Sequence, residues 1–328
     1  MKVLLTGANG LLGQNVLRQL LNENHEVVAL VRRASSLQQF DNMVIKEGSF
    51  IEADILREAA KGCDAIVNVA GTTDMSLLSY GDYLPVNKNG VEVILQIMEE
   101  HGIKRLVHVS TANTIGYGSP DQPADEEAEM TEPFRQSFYA RSKAEGEQLL
   151  HWETTEHPDW HIVIVNPGFM IGPYDTKPSS GQLLDAAYGR KRMVCPSGGK
   201  SFVYVKDAAV AIVNALTMGR NGENYLLTGK SISLHDFYVL QASICGYKQQ
   251  VMVLPDWLVL AAGYVGDLLQ MLKIKTQLCT RNVRQLLVNE YYSNLKARQE
   301  LLMPQTPIEE AIRAYFDWKA QKKETSIN

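Results

Sequence analysis

Through the first half of the chain, short apolar runs rich in β-branched residues alternate with longer stretches whose apolar positions recur at helical spacing. Residues 3–5, 26–31, 65–69, 106–109 and 162–165 read as strands buried on both faces, and residues 91–101 form an amphipathic helix between two of them. The alternation predicts an α/β fold, a Rossmann-like doubly wound parallel sheet. After Asn166 it decays: residues 172–201 are rich in Gly, Pro and Ser, and from Leu234 onward the pattern is mostly helical. We therefore expect a first unit of residues 1–166 plus about 203–229. A smaller, mixed but mostly helical lobe of residues 167–202 plus about 230–328 should lie over the carboxyl edge of the sheet. Residues 206–218 and 225–228 are expected to return to the first unit.

The segment TGANGLLG, residues 6–13, follows the first apolar run directly. Gly7 permits a tight turn out of a strand, Gly10 lets the backbone approach a pyrophosphate, and Gly13 lets the following helix pack closely. A helix opening near Gly10, Leu11 and Leu12 aims free N–H groups and its positive dipole end at phosphate. Asn9 lies in the same turn, and the first unit is expected to bind a dinucleotide. An acidic residue about 20 positions past such a loop normally holds the adenosine ribose, but Arg32 and Arg33 stand there. A guanidinium pairs with a 2′-phosphate that a carboxylate repels. NADP(H) is therefore preferred at Arg32, with NAD(H) possible.

Composition narrows the alternatives. A net charge of −5 with scattered Lys and Arg gives no basic footprint for nucleic acid. Cys63, Cys195, Cys245 and Cys279 form no Cys-x-x-Cys, which reads as thiols in a reducing compartment and points to the cytoplasm. Among the seven histidines only His157 and His161 stand four apart, across Pro158, so no metal site is expected, and His108 is read as a strand residue within the fold. The apolar start breaks at Thr6 and Gly7, too early for a signal peptide. Residues 254–272 are apolar but carry Pro255, Asp256 and Asp267, which excludes a membrane span. A buried or substrate-capping helix is expected there rather than one resting on a bilayer.

In YARSK, residues 139–143, a phenol and an ammonium lie one helical turn apart, about 6 Å along the axis. At an effective dielectric of roughly 20 such a charge favours the phenolate by about 3 kcal/mol, or about two pKa units. Lys143 is thus expected to bring Tyr139 toward working pH for proton transfer to a carbonyl oxygen. A hydroxyl residue, Thr111, stands at the end of a strand 28 positions upstream. Adjacent strand residues point to opposite sides, so either Thr111 or Ser110 faces the reacting carbonyl, and Thr111 is preferred.

TGANGLLG, NVAG at 68–71, VNKNG at 86–90, VSTANTIG at 109–116, YARSK, NPGFMIGP at 166–173 and KARQELLMPQTPIEEAI at 296–312 together resemble the extended short-chain dehydrogenase/reductase (NAD-dependent epimerase/dehydratase) family. The similarity is greatest to its dihydroflavonol reductase and hydroxysteroid dehydrogenase branch. The resemblance implies that Thr111 polarises the substrate oxygen and that Lys143 also holds the nicotinamide ribose. Asn87 would give support near the site, or equally cap a helix. It further implies cofactor contacts at Val69, Ala70, Gly71, Asn166, Pro167 and Gly168, and a homodimer through helices beginning near Asn89 and Tyr139. Where relatives carry Gly-Asp after the third strand, this chain has Gly48 and Ser49, so adenine binding would rest on Ser49 or on packing by Phe50.

Departures from the family pattern bear on the reaction. Ala112 and Asn113 follow Thr111 where sugar-nucleotide dehydratases carry Asp-Glu, which argues against dehydration. Lys200 and Ser201 stand where epimerases commonly offer Arg to a diphosphate. The substrate is expected in a cleft bordered by Thr72, Thr73 and Asp74 and by Phe169, Met170 and Tyr174, a lining suited to a ring or an apolar ketone. The acidic stretch 121–132 is either a solvated loop or a lid. Three functions stay open: reduction of a ketone or aldehyde, or oxidation of the matching alcohol, with Tyr139 as the proton donor or acceptor; a nucleotide-sugar epimerase holding NAD tightly; and a non-catalytic dinucleotide-binding regulator.

Overall fold

The computed structural model describes residues 1–176 and 179–325. Positions 177–178 and 326–328, which the expected second lobe includes, lie outside the described residues. The strands of the main sheet are β1 (Lys2–Thr6), β2 (Glu26–Val31), β3 (Met43–Glu47), β4 (Ala65–Asn68), β5 (Arg105–Val109) and β6 (His161–Pro167), with a further strand, Asn224–Leu227, at one edge. They form a seven-stranded sheet in which every neighbouring pair is parallel, ordered from that edge strand through β6, β5, β4, β1 and β2 to β3. The α/β doubly wound expectation holds. β3 sits at the opposite edge with alternate residues exposed, so it carries no continuous apolar run for the hydrophobic pattern to mark.

Alternation along each strand fills two cores. Val3, Leu5, Val107, Val109, Val163 and Val165 face one side, where helices α1 (Leu11–Asn22) and Val205–Asn214 pack together. Leu4, Leu106, Ile162 and Ile164 face the other, under α2 (Ala53–Ala60), α4 (Asn89–His101) and α5 (Phe138–Glu156), with the short α3 (Leu84–Asn87) leading into α4. Successive side chains on opposite faces give the sheet its two-sided burial.

Most of the remaining elements build a mixed lobe, but Ala297, Leu301 and Met303 pack into the first core, so this part of the chain returns to the main sheet. β7 (Phe169–Ile171), β8 (Arg192–Cys195) and β9 (Gly199–Tyr204) precede the edge strand, which is β10 in chain order. β11 (Lys230–Ser233), β12 (Gln250–Val253) and β13 (Asn289–Glu290) follow it. β11, β9 and β13 form a small sheet with β7 also on β9, and β12 pairs with β8. The helices are α6 (Gly181–Ala187), α7 (the Val205–Asn214 helix of the first core), α8 (Leu234–Ile244), α9 (Asp256–Met271), α10 (Thr280–Val283), α11 (Leu295–Glu300) and α12 (Ile308–Thr325). Phe202 and Phe237 stack with centroids 4.2 Å apart at the heart of this lobe.

Two expectations are corrected. The helix in residues 254–272 is not buried: only Val259, Gly263 and Gly266 of α9 are enclosed, because glycine at two of these positions draws a single narrow face onto the chain behind it. Of the two readings of the acidic stretch 121–132, the free lid is corrected: Asp121, Asp125, Glu127, Glu129 and Glu132 are exposed as in a solvated loop, but the backbone is fastened down. Gly118 and Ala124 donate their N–H groups to Tyr291 O, Ser293 N–H donates to Ala124 O, and Glu126 accepts from Leu226 N–H, which sews the stretch onto β10. Burial raises the Glu126 carboxyl above its ordinary pKa. No helix among the described residues is long and apolar enough to cross a membrane.

A Cβ on Gly266 would lie 1.0 Å from Leu278 O, whereas one on Gly102, at the left-handed end of α4, meets nothing within 4 Å. Gly266→Ala is therefore expected to cost about 2 kcal/mol or more by forcing the backbones apart, and Gly102→Ala about 1 kcal/mol from its φ alone. Urea midpoints measure the difference. Equal midpoints for the two variants would sink the close-packing account of α9.

Candidate active site

The carboxyl ends of β1, β4 and β5 converge with the start of α5. At the end of β1, Gly7 turns with φ +70°, and a Cβ there would meet Ala70 N at 2.7 Å. Gly13 is required by the loop itself, since its Cβ would stand 2.1 Å from Gly7 O. Gly10 differs: a Cβ there would meet only Gly7 O at 3.6 Å, so its outer side is open. Gly10 caps α1 without a side-chain hydrogen bond, and the first turn holds no acidic residue. An open glycine, free N–H groups and the positive end of a helix dipole fit a dinucleotide pyrophosphate at this turn. Leu12 is buried, so its side chain belongs to the core, and Leu11 packs against the same core.

Asn9 donates to Ser36 Oγ at 2.8 Å, tying the glycine turn to the loop that carries Arg32 and Arg33. Both arginines are exposed there. The carboxylate of Glu47 accepts from Ala34 N–H at 2.7 Å in the same loop. Ser49 is partly exposed, but the Phe50 ring is packed on Gly90, where a Cβ would meet it at 2.6 Å. That ring is core under α4, which corrects its expected packing on adenine.

Val69, Ala70 and Gly71 lead away from β4 beside the glycine turn, with Ala70 N–H donating to Thr6 Oγ1. Asn87 is buried and serves this loop: its side chain accepts from Thr72 N–H at 2.8 Å and donates to Thr72 O and to Ser142 Oγ at 2.9 Å. It fastens the β4 loop to α5 one residue before Lys143, which is backbone support near the site and not a helix cap. A Cβ on Gly71 would stand 3.3 Å from Lys143 Nζ, so this loop and the ammonium are immediate neighbours.

Thr111 leaves β5 beside the start of α5, where its side chain accepts from Asn113 N–H and its hydroxyl is near enough to the Tyr139 phenol to favour the ionised form. The Tyr139 side chain is partly exposed. Ser110, the alternative hydroxyl, is buried. Lys143 donates to Val109 O at 2.7 Å, and burial lowers its pKa to about 8 against the opposing attraction of Glu147. The expected effect of Lys143 on Tyr139 is not what the site shows. Burial raises the phenol above its ordinary pKa and the charge of Glu147 adds to that, with the Thr111 hydroxyl opposing.

Glu147 is a residue the motifs did not bring out. It lies one turn beyond Lys143, accepts from Thr114 Oγ1 and from Asn166 Nδ2, each at 2.8 Å, and burial raises its pKa. Its signal was in the sequence, since Tyr139, Lys143 and Glu147 share one helical stripe at i, i+4 and i+8. Asn166 donates to Thr111 O, Thr114 and Glu147 and accepts from Asn224. Fully enclosed, its side chain positions the strand end and does not reach a cofactor. Pro167 is buried, and Gly168 lies against Ser201 O, where a Cβ would stand at 2.6 Å. His108, paired with Asn68, is held neutral by burial and by Lys143.

The expected substrate border divides. Thr73 and Asp74 are exposed, and Asp74 is committed to a local turn through Ser76. Phe169 and Met170 are partly buried, with Phe169 edge-on to Phe202. Tyr174 does not border the cleft: the Arg18 guanidinium of α1 stacks on its ring at 3.7 Å, and Asn15 donates to Pro173 O, so this turn lies along α1. A separate cavity of about 550 Å³ is lined by Thr114, Glu147, Arg135, Arg141 and His151 among others, and does not include Thr111, Tyr139 or Lys143. Among the described residues no cluster of three His, Cys, Asp or Glu side chains could hold a metal.

Comparison with known proteins places this site in a family. Residues 3–228 match the NAD dependent epimerase/dehydratase family. Sterol demethylase protein B of Methylococcus capsulatus is 28% identical over 82% of this chain and 82% of its own. A putative dihydroflavonol 4-reductase of Synechocystis is 29% identical over 96% and 93%. A farnesyl-dihydroquinoline-oxide ketoreductase of Stigmatella aurantiaca is 30% identical over 81% and 80%. The crystal structure of gox2253 superposes with a TM-score of 0.82 at 27% identity over 98% of both chains. UDP-glucose 4-epimerase of Thermotoga maritima shares the fold, with a TM-score of 0.78 at 17% identity over 98% of this chain and 99% of its own. The chain belongs to the NAD-dependent epimerase/dehydratase family, the extended short-chain dehydrogenase/reductases, and is an NAD(P)-dependent oxidoreductase.

Proposed function

We propose that the protein is an NADP(H)-dependent carbonyl reductase, or the matching alcohol dehydrogenase, of a ring-containing or apolar substrate. The observation that carries this reading is the Thr111–Tyr139 hydroxyl pair beside Lys143, at the end of β5 and next to the open Gly10 turn. A bound nicotinamide supplies the hydride. Tyr139, kept protonated by its burial, donates its hydroxyl proton to the oxygen as negative charge develops there. The Thr111 hydroxyl steadies the same oxygen, and Lys143 orients the ribose and balances the charge left on the phenol. Asn87 and Asn166 hold the two loops that carry these groups.

Lys200 supports a reductase over an epimerase. It is partly buried and ion-paired with Glu290, and Ser201 Oγ is bonded to Ser231, Glu290 O and Tyr292 N–H. Neither residue is free to hold a nucleotide diphosphate, and Ala112, buried, offers no acid for dehydration. Two similar proteins have names that speak of a sterol and a farnesylated quinoline ketone, both apolar ring compounds. The exposed Arg32 supports NADP(H). In this reading residues 1–166 with about 203–229 bind the cofactor, and 167–202 with about 230–328 bind the substrate. α4 and α5 pair two copies, and cysteines that form no disulfide among the described residues suit a reducing cytoplasm.

Three outcomes test the reading. Tyr139→Phe should lower kcat for NADPH-linked reduction of a cyclic ketone by about 10²–10⁴-fold with little change in NADPH binding; intact turnover of a true substrate would end the catalytic assignment. An epimerase would show no net NADPH absorbance change. Arg32→Ala should weaken NADP(H) about tenfold by calorimetry and leave NAD(H) nearly unchanged, and tighter NAD(H) binding with no effect of the substitution overturns the cofactor choice. Finally, Lys143 is protonated below its pKa of about 8 and neutral above it, so kcat/KM for NADPH should fall as pH rises through that value. A profile flat across it excludes Lys143 as the titrating group.

A further inference from the structure

α9 carries an outward face that the described chain leaves uncovered. Trp257, Tyr264, Val265, Leu268, Met271 and Leu272 are between 58% and 80% exposed. At about 100° per residue they fall within one stripe about 120° wide and about 22 Å long. A single exposed leucine is ordinary on a protein surface, but a continuous stripe of large apolar side chains marks an interaction site.

Charge is sorted around this stripe. Both acids of α9 are turned away from it: Asp267 accepts from Thr280 N–H and Oγ1 at 3.0 and 2.7 Å, and Asp256 from Ser197 Oγ at 2.6 Å. At the carboxyl end the exposed Lys273 and Lys275 follow, with Lys275 also drawing on the Asp74 carboxylate. The surface presented outward is therefore apolar with a cationic end. A second copy of the chain is poorly matched to it. In an antiparallel pair the lysines would meet the Trp257 end, where Asp256 is already bonded to Ser197, and a parallel pair would set lysine against lysine. An anionic bilayer matches both parts, acyl chains taking the stripe and headgroups taking the ammonium groups, with Trp257 and Tyr264 suited to the interface.

The opposite side of α9 leads to the candidate site. Gly263 and Gly266 press on residues 278–283, where the Arg281 guanidinium stacks at 3.7 Å on Phe138, the neighbour of Tyr139. Asn282 donates to Met75 O at 2.8 Å, in the loop that follows β4. We propose that α9 rests in the headgroup region of an anionic lipid bilayer and holds the mouth of the site against it. On the reductase reading, the carbonyl substrate then arrives from the membrane.

The test is vesicle flotation of the full chain, a measurement that involves no turnover and so stands or falls apart from the reductase reading. The wild-type protein should float with phosphatidylcholine vesicles containing phosphatidylglycerol, less so without it or in high salt. Val265→Glu with Leu268→Glu changes two exposed residues and should weaken binding by about tenfold or more, with circular dichroism and NADPH binding unchanged. Lys273→Glu with Lys275→Glu should remove the preference for phosphatidylglycerol. Wild-type protein that floats with neither vesicle, or a glutamate pair that floats as the wild type does, overturns the proposal. So does a two-chain particle by light scattering that the glutamate pair splits while no vesicle is bound, which would make the face a contact between copies.

Discussion

Glu147 is a carboxylate enclosed at the carboxyl end of a parallel sheet, and the site around it depends on keeping it bonded. An ionisable group buried without partners costs several kcal/mol. Here Thr114 comes from the turn after β5, Asn166 from β6 and Asn224 from β10, and all three meet the one side chain on α5. Four separate stretches of backbone are thereby brought into register. Asn166 also donates to Thr111 O, so the strand end that presents the Thr111 hydroxyl is fixed by the same knot that fixes the helix presenting Tyr139 and Lys143. Precision at the hydroxyl pair follows from packing one layer beneath it.

That knot also explains why the ionisable side chains behave differently from what their spacing suggests. A lysine one turn from a tyrosine favours the phenolate if both face the same medium, which is the assumption behind the sequence argument. In the fold Lys143 is enclosed and hydrogen-bonded to Val109 O, and Glu147 follows one turn later. Burial works against both charged forms, and the Glu147 carboxylate raises the phenol further while favouring the ammonium. The arrangement holds a protonated phenol and an ammonium that titrates near neutrality, which suits proton donation in the reducing direction.

The sheet was legible because each central strand is a continuous apolar run and because Gly7 and Gly13 of the loop have a steric reason. What the sequence could not convey is where long side chains turn. Phe50 reads as a partner for adenine by its place after Gly48 and Ser49, yet the missing Cβ of Gly90 opens a pocket for its ring in the core. Tyr174 reads as a cleft aromatic by following β6, but Arg18 two turns into α1 stacks on it. Asn166 reads as a cofactor contact by motif position and is in fact enclosed. The acidic stretch 121–132 gives no hint of Tyr291 and Leu226, which lie at least 94 positions away in sequence and supply its anchors. Each miss is a contact between segments distant in sequence, and local pattern carries no record of those.

α9 shows the opposite relation between pattern and burial. Its apolar composition reads as a core helix, but a helix reaches the core only if the face it offers can approach another surface. Gly263 and Gly266 permit a close approach over one narrow strip, and no broad apolar surface lies beyond that strip to receive the rest. The large side chains are consequently left on the outside, while Asp267 turns back to bond Thr280 and Asp256, still exposed, bonds Ser197. A helix selected only for folding would place its acids outward and its leucines inward. On α9 the large apolar side chains face outward, and the helix's inner face meets the loop whose Arg281 stacks on Phe138.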